Sequence, residues 1–229
     1  LFLAAQINNT IEEKSLFVQT GDITNQQIQK FLKENHIKIT VKPESVAESN
    51  PFVAQITKLP KDWSQDEKGY YTKSFLNPIR IENEQDFEVF LKKHVPYYHS
   101  YRKHTSSPQE RTYLQYANGM PIFDGKLTVS FTKERRIRSI QLLHYQTRMI
   151  KKINLISFNN ALYNLLYSDE LSRFSKPTIT NAILGYNARS NPNETDDYYL
   201  MPYWRFIVNG TQYVDVNALS GNLENPEES

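Results

Sequence analysis

Apolar positions recur at helical spacing in three stretches of the chain. After Thr24-Asn25-Gln26-Gln27, a capping-box pattern with Thr at the N-cap, Ile28, Phe31 and Leu32 line one face of a predicted helix that stops near Asn35. A second helix opens at Asn83, carries Phe87, Phe90, Leu91 and His94 on one face, and closes before Pro96. The third is the clearest: Ser157 caps it, and Phe158, Ala161, Leu162, Leu165 and Leu166 form a continuous stripe.

Elsewhere the alternation has the period of two that marks half-buried strands. Ile37, Ile39 and Val41 alternate with Lys38, Thr40 and Lys42, and a further strand is predicted at Phe52–Ile56. Lys61 to Gly69 is polar and turn-rich, and Tyr70 to Ile81 is extended but broken by Pro78. From Arg111 onward the pattern is antiparallel sheet. Asn118-Gly119 and Asp124-Gly125 are predicted turns, because Gly supplies the positive φ of tight hairpins. Leu127, Val129 and Phe131 alternate with polar residues, and the charged turn Lys133–Arg136 leads into a strand from Ile137 to Gln146. Strands follow at Thr178–Asn187 and Tyr198–Val208, Asn209-Gly210 turns into Thr211–Val216, and Asn222 to Ser229 reads as a frayed tail.

Two stretches thus share one plan, a helix followed by an antiparallel meander. The predicted fold class is α+β, with two helix-on-antiparallel-sheet domains in which the helix covers one sheet face. The expected division is 1–21 as the end of an anchor and a stalk, 22–150 as an N-terminal domain and 151–229 as a C-terminal one, with a cut near Ile81 as the alternative. Leu1-Phe2-Leu3-Ala4-Ala5 is an apolar run that passes into polar sequence. It falls far short of the roughly 20 residues that span a bilayer, so it is either the tail of a spanning helix or an ordinary amphipathic start.

Composition narrows the chemistry. In 229 residues, 27 Lys and Arg stand against 25 Asp and Glu, a balance too even for a nucleic-acid footprint. The absence of Cys removes disulfides, thiolate metal sites and cysteine nucleophiles. No Gly-x-Ser-x-Gly elbow, Walker loop or dinucleotide fingerprint occurs. His94, His99 and His104 are spaced five apart, which suits neither a helix face nor a strand face, so no metal or cofactor is expected. The reading is a protein without catalytic residues. What stands out is the 13% aromatic content. Tyr97, Tyr98, Tyr198 and Tyr199 are candidate interface aromatics, since Tyr joins a rigid apolar face to a polar tip, although aromatics also simply line sheets.

Two blocks carry a family resemblance. Tyr113-Leu114-Gln115-Tyr116-Ala117-Asn118-Gly119-Met120-Pro121-Ile122-Phe123-Asp124-Gly125-Lys126-Leu127 resembles the strand-turn-strand segment of propeptide-like domains related to PepSY. Met201-Pro202-Tyr203-Trp204-Arg205-Phe206, with Tyr213-Val214-Asp215-Val216-Asn217-Ala218-Leu219-Ser220-Gly221, resembles the PepSY end. Seen whole, the chain is similar to the YycI family, membrane-anchored regulators of the YycG (WalK) sensor histidine kinase of low-GC Gram-positive bacteria. Leu1, Phe2 and Leu3, with Gln6, then match the end of that family's single transmembrane helix. The resemblance implies two PepSY-like domains after a truncated N-terminal membrane anchor. It implies a single-pass cell-membrane protein with its bulk extracytoplasmic. Its partners would be the kinase WalK/YycG and YycH, acting by contact in cell-wall metabolism, with a homodimer also open. No catalytic residue is implied. The alternative is a secreted PepSY-like inhibitor or chaperone of a peptidase.

Overall fold

The computed structural model describes residues 25–34, 37–39, 48–49, 51–190 and 197–224. Leu1, Phe2 and Leu3, the expected stalk, the Thr24 cap and the end of the tail lie outside the described residues. The protein is α+β and dominated by sheet. Among the described residues no helix is long and apolar enough to cross a membrane. The chain divides into two compact units that interleave along the sequence: one takes 52–150 and 186–200, the other 1–51, 151–185 and 201–229.

In the unit of 52–150 and 186–200, helix α2 (Glu84–His94) begins as predicted. The Asn83 side chain accepts a hydrogen bond from the Asp86 N–H at 2.9 Å, supplying a partner that the first helical turn lacks. Its apolar face, Phe87, Phe90 and Leu91, packs on strands β5 (Tyr71–Ile79), β7 (Glu110–Ala117), β8 (Met120–Phe131) and β9 (Ile137–Leu142). Leu127, Val129, Ile137, Ile140 and Leu142 present the alternate positions that make this core. Arg111 fastens the helix start to the sheet. Its Nη1 lies 2.8 Å from both oxygens of Glu84, and its guanidinium sits 4.4 Å from the centre of the Phe87 ring. A second core in this unit joins Phe52 and Ala54 of β3 (Phe52–Ile56) to Ile122, Leu143, Tyr145, Tyr186 and Leu200.

Asn118-Gly119 turns the β7–β8 hairpin, with both residues at positive φ. Asp124-Gly125 does not turn: both residues lie inside β8. Gly is needed there for proximity, because a Cβ at Gly125 would stand 2.9 Å from Gln115 Oε1 and 3.0 Å from Gln115 Cβ. The carboxylate of Asp124 accepts from the Ala188 N–H at 2.8 Å. Strand β4 (Ser64–Gln65) pairs with the start of β5, and Pro78 is accommodated by an irregularity in β5, whose register with β9 shifts between Ser74 and Ile79. The expected strand from Ile137 to Gln146 is two: β9, and β10 (Tyr145–Met149), which pairs with β3. The turn Lys133–Arg136 is a solvated hairpin loop, as its charge suggests.

In the other unit, helix α3 (Phe158–Leu166) is capped by Ser157, whose hydroxyl accepts from the Asn160 N–H. Phe158 meets Trp204 and Phe206 of β13 (Asp197–Val208) with ring centroids 5.6 Å apart in each case. Helix α1 (Asn25–Glu34) packs against α3 through its buried Ile28 and Leu32. Strand β1 (Lys38–Ile39) runs parallel to the start of β12 (Thr178–Ser190), β2 (Glu48–Ser49) pairs antiparallel with β11 (Ile153–Asn154), and β13 pairs antiparallel with β14 (Gln212–Asn217). The expected frayed tail contains a short strand, β15 (Leu223–Glu224), held by β14. Gly221 closes the turn before it at φ 74°, where its carbonyl accepts from Asn164 Nδ2 at 2.9 Å.

Candidate aromatic interaction site

The aromatic cluster near residue 100 is built by an abrupt change of direction after α2. Val95 closes the helix with its N–H on the Leu91 carbonyl, and Pro96 prevents continuation. Tyr97 then adopts the left-handed conformation, φ 58°, which a bulky residue takes only when its surroundings repay it. The compensation is visible. The Ser100 N–H and hydroxyl both donate to the Tyr97 carbonyl, at 2.9 and 2.8 Å. The Tyr97 ring stacks on the His144 imidazole at 4.4 Å with the planes 14° apart. A single 3-10 turn (Tyr98–Ser100) leads into β6 (Tyr101–Ser106), a strand the hydropathy pattern does not announce.

His144 sits where β9 gives way to β10. It is buried, its Nδ1 lies 2.7 Å from Thr57 Oγ1, and the Tyr101 ring lies 5.9 Å away. Burial, with the charge of His99 as a smaller contribution, pushes its pKa down to about 4. The folded chain resists a proton that the unfolded chain accepts near pH 6.5, so stability is present above that pH and lost as pH falls towards 4. Holding this group's pKa at about 4 rather than 6.5 corresponds to a loss of about 3 kcal/mol at low pH. Urea midpoints measured from pH 7 to pH 4 should fall more steeply for the natural chain than for His144→Gln, whose amide takes up no proton in that range. Equal slopes would show that His144 keeps its ordinary basicity.

Beside this stack, the Tyr98 hydroxyl donates to Glu88 Oε1 at 3.0 Å and its ring meets Tyr113 edge-on. Burial, reinforced by Glu88, raises the Tyr98 pKa, so this phenol holds its proton and remains a donor. The Tyr101 hydroxyl donates to the Leu143 carbonyl at 2.9 Å. Tyr113 is 2% exposed, and its own hydroxyl has no partner in hydrogen-bonding geometry, although Arg111 and Glu88 are near enough to act on it electrostatically. Tyr97, Tyr98, Tyr101, Tyr113 and Glu88 border an open cavity of about 520 Å³, whose rim carries Lys92, His99 and Lys103.

Of the four tyrosines singled out by sequence, Tyr97 and Tyr98 line this cavity, and Tyr97 is 45% exposed. Tyr198 and Tyr199 do not join them. They stand opposite Ala54 and Val53 on β13, half-buried, with Tyr198 edge-on to Tyr145 at 5.6 Å. His94 packs on Phe90, and burial lowers its pKa, with the neighbouring Lys93 as a smaller contribution. Among the described residues no group of three or more His, Asp or Glu side chains is placed to hold a metal ion. His144, Thr57 and Lys103 escape a reading by motif. A polar residue within the apolar run Leu142-Leu143-His144-Tyr145 is the one trace that His144 leaves in the sequence.

The protein is a sheet-dominant α+β one that carries an aromatic cavity lined also by Lys92, His99 and Lys103. Residues 18–219 match the family model YycI, described as YycI protein. The chain belongs to the YycI family. No curated protein matches it. Among solved structures it is similar to an uncharacterized protein from Eubacterium rectale ATCC 33656, determined at 1.45 Å resolution, with 11% identity and a TM-score of 0.39. That likeness covers 69% of this chain and 49% of the other, so the chain spans about half the length of that protein.

Proposed function

We propose that the chain is the extracytoplasmic body of a single-pass membrane protein that regulates the sensor histidine kinase WalK (YycG). In this reading it acts with YycH, by protein–protein contact, in the control of cell-wall metabolism. The observation that carries the reading is the family match across 18–219. Leu1, Phe2 and Leu3 are then the last residues of the spanning helix, and the two helix-on-sheet portions are PepSY-like domains that transmit contact rather than transform a substrate.

A helix in the bilayer packs against kinase helices by van der Waals contact between closely approaching surfaces. The external body, bound to YycH, biases the geometry of that packing. Such a regulator shifts a two-state kinase only by its difference in affinity for the two states. The test compares kinase output in cells carrying the anchored full-length protein, the anchor alone, the external body alone, or none of them. Output should respond to the anchored forms and not to the external body alone. Output indifferent to the anchor would overturn this mechanism.

A further inference from the structure

Strand β6 pairs with β7 along one side, and among the described residues no strand pairs with the other. Beyond Tyr101 every side chain of β6 is exposed, and Arg102, Lys103 and His104 follow one another. An open edge offers backbone N–H and C=O groups at strand spacing, to which an extended segment can add. Alternation turns Lys103 to the same face as Tyr101, with Tyr113 opposite it on β7. The cavity bordered by Tyr97 and Tyr98 lies on this face, so the open edge and the cavity are neighbours.

The charges around the cavity are unequal. Lys92, His99 and Lys103 stand at its rim, while its one carboxylate, Glu88, already accepts the Tyr98 hydroxyl. The floor is aromatic and includes the buried Tyr113, whose hydroxyl lacks a partner. A lysine and a bulge at an edge ordinarily repel stray strands, and β6 has both, its register shifting between Lys103 and Thr105. The same lysine rewards a strand that brings negative charge, so a device against pairing becomes one that selects a partner.

We propose that the β6 edge and the adjoining cavity form a docking site for an extended acidic segment of a partner protein. The segment adds to β6 as a strand and directs an acidic side chain towards Lys92, His99 and Lys103. This deepens the reading of the chain as a contact regulator and rests on it. Its test is made on the purified protein, so that loss of binding and failure of kinase regulation are separate results.

The probe is a short fluorescein-labelled peptide alternating Glu and Val. Its controls are the same peptide with Lys for Glu, and the same peptide with N-methyl groups on every residue, which block ladder formation along both edges. Fluorescence anisotropy should show saturable binding of the Glu peptide, weakening with salt, and neither control should compete with it. Lys92→Glu with Lys103→Glu, both at exposed positions, should raise Kd by roughly tenfold or more while leaving the thermal transition in place. The N-methyl control needs no altered protein, so the proposal stays testable even if the double variant fails to fold. Absence of binding at millimolar peptide, or equal binding of either control, would overturn it.

Discussion

Replacing Gln115 by Ala is expected to remove about 4 kcal/mol of stability, since it leaves two buried backbone groups without partners at about 1–3 kcal/mol each and adds a small void. Gln115 is buried on β7 beside the irregularity of the β7–β8 ladder. Its side-chain amide acts as a length of strand: Nε2 donates to the Tyr145 carbonyl at 2.7 Å, and Oε1 accepts from the Tyr145 N–H at 2.9 Å. Both hydrogen bonds that Tyr145 would form in a ladder are thus made by one side chain. Gln115→Met separates the contributions, because it keeps the volume and loses the hydrogen bonds. Urea unfolding should find most of the Ala penalty retained in Met, and amide exchange at Tyr145 should accelerate in both. If Met were as stable as Gln, the hydrogen bonds would contribute little.

The second large effect is expected at Arg205, whose replacement by Ala should cost about 3–5 kcal/mol, the loss typical when one partner of a buried ion pair is removed. Arg205 and Asp215 are opposite residues on β13 and β14. Their side chains meet through two parallel hydrogen bonds, Nε to Oδ1 at 2.8 Å and Nη2 to Oδ2 at 2.7 Å. They retain 14% and 7% of their exposure, and the guanidinium also lies 3.9 Å from the Tyr213 ring centre. Removing Arg205 strands a carboxylate away from water. Removing both charges does not, so Arg205→Leu with Asp215→Leu should be more stable than Arg205→Ala alone. Additive penalties in the double variant would show that the two side chains do not act as a pair.

The parts of the fold governed by local chemistry were legible in the sequence. Asn83 and Ser157 cap helices because their side chains reach N–H groups three residues on, and the stripe from Phe158 to Leu166 has one face to bury. The Asn118-Gly119 turn follows from backbone sterics alone. Long-range partners were hidden. Asp124-Gly125 has the composition of a turn, but its glycine answers to Gln115 across the sheet, a neighbour that no local window contains. Strand β6 was missed because its exposed residues do not alternate in hydropathy, and Tyr101 alone marks its buried face. Tyr97 and Tyr98 were identified by composition, whereas the stack on His144 depends on a left-handed residue that only the surrounding packing imposes.

The interleaving of the two units has a consequence for how the polypeptide is made. The unit that starts at Phe52 draws its last strand segment from 186–200, and the other holds residues on both sides of it. A nascent chain that has grown only as far as Ile150 therefore carries Phe52, Ala54 and Ile122 without Tyr186 or Leu200, the side chains that complete their core. Sticky intermediates of this kind persist until late in synthesis, and pairing distant segments is slow. A premature stop codon anywhere before residue 200 would leave both units without segments that belong to them.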